Sequence, residues 1–212
     1  MKSYILWDHD GVLVDTERWY FEATRQAIHA LGVDLTQSEY LLNMAAGRSA
    51  WEIAKLHGAN DEAVERQRAV RDRLYQRFLL DKDIEIPGVV EVLRELAPAY
   101  KMAIVTSAKR ADFELIHRSR AIVNHMSFVL AKGDYVRSKP APDPYLAALE
   151  RFGAQPHEAI VVEDSERGLR AAVAAGIDCV VVANEFVAEQ DLSSATHHIE
   201  SIRELPALLK NL

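Results

Sequence analysis

The sequence has few of the features that mark secreted or membrane proteins. Its one cysteine, Cys179, lies in an apolar run, so no intramolecular disulfide can form and a reducing compartment is expected. No apolar run approaches the roughly 20 residues that a membrane-spanning helix needs. An acidic residue, Asp8, comes too early for the apolar core of a signal peptide. We therefore expect a cytoplasmic protein.

The sequence also lacks an excess of positive charge. The formal net charge of the 212 residues is −7. A surface of that sign repels nucleic acid and anionic membranes, so we expect neither as a partner. A small anionic ligand would need a local cation, either a lysine or a metal ion. Nothing in the sequence fixes the oligomeric state, and a monomer is compatible with it.

The pattern of apolar residues predicts an α/β fold with a helical insertion. Residues 4–7 form a short apolar run typical of a buried strand. The next stretch shows signals of helices only. These are helical spacing of apolar residues from Glu17 to Leu31, capping boxes at Thr36–Glu39 and Ser49–Glu52, and an N-cap at Asn60. After Pro87 and Gly88, helices alternate with four further strands: Met102–Val105, Phe128–Leu130, Ala159–Val162 and Cys179–Val182.

Apolar strands separated by helices predict a parallel sheet that is covered on both faces. The sequence therefore predicts a doubly wound, Rossmann-like core formed by residues 1–15 and 86–212. Residues 16–85 are predicted to be an all-helical domain inserted after the first strand.

Polar residues follow several of the predicted strands. In open parallel sheets, ligands bind at the carboxyl ends of the strands. The candidates there are Asp8 and Asp10 after the first strand, Thr106 and Ser107 after the second, Glu163 and Asp164 after the fourth, and Lys139 in the loop beyond the third. Converging carboxylates repel one another, and oxygen ligands select hard cations such as Mg²⁺. A lysine and free backbone amides suit a phosphate group, so the set meets the needs of phosphoryl transfer.

Four motifs resemble those of the haloacid dehalogenase superfamily, in the same order along the chain. They are Asp8-His9-Asp10-Gly11-Val12-Leu13-Val14-Asp15, Thr106-Ser107, Lys139-Pro140-Ala141-Pro142-Asp143-Pro144, and Val161-Val162-Glu163-Asp164-Ser165. The helical insertion lies where that superfamily carries its cap domain. Within the superfamily, the chain is most similar to the β-phosphoglucomutase-like phosphatases. The resemblance implies a Mg²⁺-dependent phosphatase that acts on a small phosphorylated metabolite, such as a sugar or polyol phosphate.

The resemblance also implies a role for each motif residue. Asp8 would be the nucleophile that forms an aspartyl-phosphate, and Asp10 would protonate the leaving alcohol and then activate water. The phosphate would be held by Gly11, Thr106, Ser107 and Lys139, with Lys139 also pairing with Asp8. The metal would be held by Asp8, Asp10, Glu163 and Asp164. In the cap, Glu17 and Arg48 are the candidates for contact with the substrate.

His9 departs from the superfamily pattern, which usually has an apolar or aromatic residue between the two aspartates. Strand alternation predicts that its side chain points away from Asp8 and Asp10, which favours a buried supporting residue over a general base.

Two other functions stay open at this point. A sugar-phosphate mutase uses the same core, but its cap pattern has Lys-Gly with an Arg three residues after the Gly, whereas this chain has Ala46 and Ala50 at the two basic positions. A receiver-like phospho-signalling module also combines aspartates, a hydroxyl and a lysine, but it has its phosphorylated aspartate in mid-chain. Asp10 argues against dehalogenation, since the dehalogenases have no acid at that position.

Overall fold

A six-stranded parallel sheet forms the centre of the computed structural model, which describes residues 2–212. Its spatial order is β3-β2-β1-β4-β5-β6. The strands are β1 (Tyr4–Trp7), β2 (Lys101–Val105), β3 (Phe128–Leu130), β4 (Ala159–Glu163), β5 (Asp178–Val182) and β6 (His197–Ile199). The predicted α/β class with a doubly wound parallel sheet is confirmed.

The first strand lies in the middle of the sheet. Ile5 is opposite Met102 of β2 on one side and Ile160 of β4 on the other. All of these residues are buried, as an apolar run between two neighbouring strands requires. The strand order reverses at this point, and loops at such a switch point form the crevice in which doubly wound proteins bind ligands.

Helices cover the sheet and a separate helical unit interrupts the chain. The helices are α1 (Glu17–His29), α2 (Gln37–Ala45), α3 (Trp51–Leu56), α4 (Asp61–Asp81), α5 (Val89–Leu96), α6 (Arg110–His117), α7 (Asp143–Phe152), α8 (Glu166–Ala174) and α9 (Leu205–Leu209). The chain divides into two compact units, one of Met1–Asp15 with Glu85–Leu212 and one of Thr16–Ile84. Within the described residues, no helix is long and apolar enough to cross a membrane.

The helical unit, Thr16–Ile84, packs its first helix against its last. Tyr20 of α1 meets Tyr75 of α4 edge-on at 5.0 Å between ring centroids. Arg71 of α4 is buried, with its guanidinium 4.5 Å from the centroid of the Tyr20 ring. This unit therefore has a core of its own.

The structure corrects two details of the sequence reading. The strand β6 was not predicted, because its two histidines do not resemble the apolar runs of the other strands. The capping box expected at Ser49–Glu52 is wrong: α3 begins after Ala50, which makes no side-chain cap. The box at Thr36–Glu39 and the cap at Asn60 are confirmed.

Candidate active site

The loop after β1 carries the first two candidate residues. The Asp8 backbone N–H donates to the Val162 carbonyl at 2.9 Å, so the end of β1 stays attached to β4. The chain then turns tightly, and Gly11 takes a positive φ of 85°. A Cβ atom on Gly11 would lie 1.9 Å from Asp164 Oδ2, so both the turn and this close approach require glycine.

Lys139 joins two of the candidate carboxylates. Its Nζ donates to Asp8 Oδ1 and, at 2.7 Å, to Glu163 Oε1. Its side chain is only 2% exposed and lies over the ring of Tyr145, 4.7 Å from the centroid. The predicted pairing of Lys139 with Asp8 is therefore present in the structure.

Both carboxylate oxygens of Glu163 accept hydrogen bonds from protein groups. Oε1 accepts from Lys139 and, at 2.8 Å, from the Tyr145 hydroxyl. Oε2 accepts from the backbone N–H groups of Asp164 and Ser165 and from the Ser165 hydroxyl. Five donors on one buried carboxylate fix its position and favour its ionised form.

Asp164 lies beside Asp8 at the same edge of the sheet. The carboxylates of Asp8, Glu163 and Asp164 offer oxygen atoms that all lie within 4.8 Å of one another. Asp164 Oδ2 accepts from Asn184 Nδ2 at 2.6 Å. Three buried carboxylates this close to one another form an oxygen-rich cluster of the type that binds hard divalent cations.

Burial and neighbouring charges shift the pKa values of this cluster. Burial, helped by the negative charges of Glu163 and Asp10, raises the pKa of Asp8 to about 7, although Lys139 opposes the shift. Burial alone would lower the pKa of Lys139, but Asp8 and Glu163 outweigh it and raise that pKa. Burial likewise opposes ionisation of Glu163, yet the charge of Lys139 holds its pKa below the usual value. The single positive charge of Lys139 thus does not balance the negative charges of the three carboxylates. A bound cation would hold Asp8 ionised.

Thr106 and Ser107 follow β2, as the sequence predicted. The Thr106 hydroxyl donates to Asp10 Oδ2 at 3.3 Å and accepts from the Ala108 backbone N–H at 2.9 Å. The Thr106 carbonyl accepts from the Tyr135 hydroxyl at 2.7 Å. Ser107 is half-buried beside it. Thr106 and Asp10 are therefore neighbours, although they are far apart in the sequence.

His9 has contacts that the sequence reading did not foresee. It is fully buried, and its Nε2 lies 2.9 Å from His117 Nε2. Its Nδ1 lies 3.3 Å from Asp10 Oδ2, so the expectation that this side chain points away from Asp10 is wrong. The backbone leaves the strand at the turn after Trp7, and strand alternation therefore no longer applies at position 9.

Both candidate cap residues lie in the helical unit. The Tyr40 hydroxyl donates to the carboxylate of Glu17. Arg48 Nε donates to Asn43 Oδ1 at 3.1 Å. These contacts define their surroundings within that unit.

Three supporting residues were not singled out from the sequence. Asn184 comes just after β5, so the rule that ligands bind at strand ends would have identified it. Tyr145 lies in an apolar stretch of α7, where its hydroxyl gives no periodic signal. His117 ends α6 and resembled an ordinary C-terminal basic residue.

The sequence matches the family model described as haloacid dehalogenase-like hydrolase over residues 5–182. This match covers well over half of the chain and includes all the motif residues of the core described above. It gives no support to the receiver-like alternative.

Among curated proteins, the chain is 30% identical over 225 residues to Protein CbbY of Cereibacter sphaeroides, covering 98% of this chain and 96% of that one. It is 31% identical over 187 residues to the fructose-1-phosphate phosphatase YqaB of Escherichia coli, covering 84% and 95%. Among solved structures, CbbY from Rhodobacter sphaeroides in complex with xylulose-(1,5)bisphosphate matches with a TM-score of 0.80, covering 97% and 96% at 23% identity. That structural match supports the fold.

Proposed function

Because the chain belongs to the haloacid dehalogenase-like hydrolase family and is a phosphoric monoester hydrolase, we propose that it is a Mg²⁺-dependent phosphatase acting on a sugar or polyol phosphate. The reaction proceeds through an aspartyl-phosphate on Asp8. The observation that carries this proposal is the Asp8–Lys139–Glu163 arrangement, in which a buried carboxylate lies beside a buried lysine and next to Asp164. It combines a nucleophile, the fixed positive charge of Lys139 and a group of carboxylate oxygens that can bind a metal ion.

The substrate class rests on the relatives and on the charge of the site. One relative is named as a fructose-1-phosphate phosphatase, and CbbY has been crystallised with a sugar bisphosphate. The surface as a whole is acidic, so recognition of an anionic substrate depends on the local charge of Lys139 and a bound cation.

The residues present fit a divalent cation. Asp8 and Asp164 each offer a buried carboxylate oxygen, and the backbone carbonyl of Asp10 is the third proposed ligand. Glu163 contributes negative charge, but its oxygens already accept five hydrogen bonds, so in this proposal it mainly holds Lys139 in place. A bound Mg²⁺ would neutralise charge on the phosphoryl oxygens.

The first chemical step transfers the phosphoryl group to the enzyme. An Asp8 carboxylate oxygen attacks phosphorus, and the bond between phosphorus and the alcohol oxygen breaks. Asp10, in its acid form, gives its proton to the departing alcohol. Thr106, the backbone amide of Ser107 and Lys139 hold the phosphoryl oxygens during the transfer. The Gly11 N–H donates to the Val14 carbonyl at 2.7 Å, so Gly11 does not supply the phosphate-holding amide that the resemblance implied.

The second step releases phosphate. Asp10, now a carboxylate, takes a proton from a water molecule, and the oxygen of the resulting hydroxide attacks phosphorus. The bond to Asp8 breaks, which returns the free Asp8 carboxylate and inorganic phosphate. The contact between the Thr106 hydroxyl and Asp10 at 3.3 Å supports this assignment, because it keeps the carboxyl group of Asp10 beside a phosphate-holding residue.

We propose further that residues 1–15 and 86–212 act as the catalytic core and residues 16–85 as the cap. The cap residues Glu17 and Arg48 are proposed to contact the part of the substrate that leaves as the alcohol. An acidic and a basic side chain suit the hydroxyl groups of a sugar or polyol.

The direct test is phosphate release from a panel of sugar phosphates, polyol phosphates, phosphoglycolate and nucleotides, with and without Mg²⁺. We expect turnover of sugar or polyol phosphates that stops after chelation and returns when Mg²⁺ is added back. Asp8→Asn should abolish both turnover and covalent labelling by a phosphoryl donor. The control is Asp191→Asn, which alters an exposed aspartate and should leave activity unchanged. Activity that persists after exhaustive chelation, or labelling of the Asp8→Asn protein at the same site, would contradict the proposal.

A further inference from the structure

A pair of histidines lies behind the loop that carries Asp8 and Asp10. His9 is fully buried, and its Nε2 is 2.9 Å from His117 Nε2 at the end of α6. The ring of Phe113 packs against both, with centroids 4.9 Å from His9 and 4.4 Å from His117. None of these contacts enters the mechanism described above.

Packing alone does not account for this pair. The Nδ1 atoms of His9 and His117 are buried and have no hydrogen-bond partner of ordinary geometry. A buried polar atom without a partner costs roughly 1–3 kcal/mol. Two apolar rings would fill the same space between the loop after β1 and helix α6 without that cost. The polar atoms of the pair therefore call for a role beyond packing.

One of these Nδ1 atoms faces the carboxylate of Asp10. His9 Nδ1 lies 3.3 Å from Asp10 Oδ2, slightly beyond the usual range for an N–H···O hydrogen bond. The Thr106 hydroxyl lies at the same distance from the same oxygen. Oδ2 is thus approached by two groups that can donate a hydrogen, and a small rotation of the carboxylate would shorten the contact with His9.

The contact between the two rings restricts where their hydrogens lie. Each neutral imidazole has one N–H, so at the shared contact one Nε2 must donate and the other must accept. If His9 donated through Nε2, its Nδ1 lone pair would face a carboxylate, which is repulsive. The favourable arrangement places an N–H on His117 Nε2, pointing to His9 Nε2, and an N–H on His9 Nδ1, pointing to Asp10.

We propose that His9 and His117 are positioning residues for Asp10: His117 fixes the tautomer of His9, and His9 Nδ1–H orients the Asp10 carboxylate. This inference rests on the proposed function, in which Asp10 carries the proton. Because Oδ2 faces the His9 Nδ1–H even when the Thr106 hydroxyl holds a phosphoryl oxygen, the acid form of Asp10 carries its proton on Oδ1, which leaves that oxygen to serve the departing alcohol.

The kinetic test compares two leaving groups. A sugar alcohol is a poor leaving group and needs the Asp10 proton, whereas p-nitrophenolate departs without it. If the pair positions the acid, His9→Phe should lower kcat/KM for the best sugar phosphate roughly tenfold, a fraction of the 10²–10⁴-fold usual for general acid–base catalysis. The value for p-nitrophenyl phosphate should change less than about threefold. A general disturbance of the site would lower both values equally.

Conservative variants separate the two ring nitrogens. His9→Asn can place an amide N–H where Nδ1 lies and should recover most of the loss seen in His9→Phe. His117→Gln keeps a donor near the Nε2 position and should be more active than His117→Phe. His157→Phe replaces an exposed histidine and serves as the matched control.

A second readout is independent of activity. Long-range proton–nitrogen NMR correlations report the tautomer of each histidine, and we expect His9 protonated at Nδ1 and His117 protonated at Nε2. The opposite tautomers would overturn the inference, and so would equal losses of kcat/KM for both substrates. If no variant, the wild type included, releases phosphate from any substrate, the proposed function itself fails, and the NMR result then still decides whether the histidines face Asp10 as described.

Discussion

At the scale of single residues, the site depends on a glycine that touches no substrate. Gly168 lies in α8, and a Cβ atom there would come within 1.6 Å of Glu163 Oε1. Alanine favours helices by about 1 kcal/mol over glycine, so helix propensity alone predicts a gain in stability for Gly168→Ala. The structure predicts the opposite, because the added methyl group must displace the carboxylate that holds Lys139. We expect a loss of roughly 1–3 kcal/mol in the free energy of unfolding, as is usual for overpacking.

Urea unfolding of the two proteins measures this difference. Val173→Ala is the matched control, since it introduces alanine at an exposed position of the same helix and should change stability by less than about 0.5 kcal/mol. Phosphate release should fall in Gly168→Ala and not in the control. A more stable Gly168→Ala protein would mean that Glu163 can move at little cost.

The pair of His9 and His117 predicts a pH dependence of stability. Burial, followed by the charges of His9 and Arg120, lowers the pKa of His117 to about 3, whereas an unfolded histidine titrates near 6.5. Between these values the unfolded state binds one more proton than the folded state. The contribution is therefore fully present above about pH 6.5 and is lost as the pH falls, at less than about 1.4 kcal/mol per pH unit because His117 is partly exposed.

Melting temperatures between pH 7 and pH 5 test this expectation. As the pH falls over that range, the wild-type protein should lose stability relative to His117→Phe, because the variant has no proton to bind at this position. Asp8, whose pKa is raised to about 7, contributes the opposite trend, but it does so in both proteins. His157→Phe, which removes an exposed histidine, should keep the wild-type slope. Parallel slopes for wild type and His117→Phe would show that His117 titrates normally in the folded protein.

At the scale of secondary-structure elements, two similar sequence signals have different outcomes. Thr36 is extended; its hydroxyl accepts from the Glu39 N–H at 3.2 Å, and its own N–H donates to the Glu39 carboxylate at 3.0 Å. Ser49 precedes Ala50, which has helical dihedral angles, and its hydroxyl lies 3.4 Å from the Trp51 N–H. Only the first of the two is a capping box.

Thr36→Ala and Ser49→Ala are therefore expected to differ. The first should destabilise the helical unit by about 1 kcal/mol, the usual cost of a lost N-cap. The second should stay within about 0.5 kcal/mol of wild type, as for an ordinary surface change. Denaturant unfolding followed by far-ultraviolet circular dichroism makes the comparison. Equal losses in the two variants would show that Ser49 caps α3 in solution.

The same contrast explains how far the sequence could predict the fold. Strands β1, β2, β4 and β5 are apolar runs between helices. They are apolar because both of their faces are buried, and this pattern predicts them from the sequence. Strand β6 is a short edge strand with two polar residues, so pairing with β5 defines it and no local pattern does. Motif residues were located because they follow strands. Two of the five donors on Glu163, Lys139 and Tyr145, come from distant parts of the chain, as does the contact between His9 and His117. Such contacts leave no mark on local periodicity.

At the scale of the whole molecule, the core chemistry leaves one functional choice open. In the proposed mechanism, a phosphatase and a sugar-phosphate mutase would begin with the same attack by Asp8 and would differ in what reaches the aspartyl-phosphate next. A mutase must keep a sugar bisphosphate in place, turn it round and exclude water, which requires cationic groups for the second phosphate. The helical unit has Ala46 and Ala50 where the mutase pattern has basic residues, and Arg48 between them donates to Asn43.

We therefore expect hydrolysis without a bisphosphate primer. The test incubates the protein and Mg²⁺ with β-glucose 1-phosphate or the best sugar phosphate of the panel, with and without the corresponding bisphosphate, and follows both the isomer and free phosphate. Phosphate release should equal substrate loss and should not depend on the primer, because the dephosphorylated product leaves before it can attack Asp8-phosphate. Ala46→Lys, which restores one exposed basic position, should tighten bisphosphate binding. Primer-dependent isomerisation that outpaces phosphate release would instead indicate a mutase in which Arg48 binds the second phosphate. Arg48→Ala would then abolish that isomerisation.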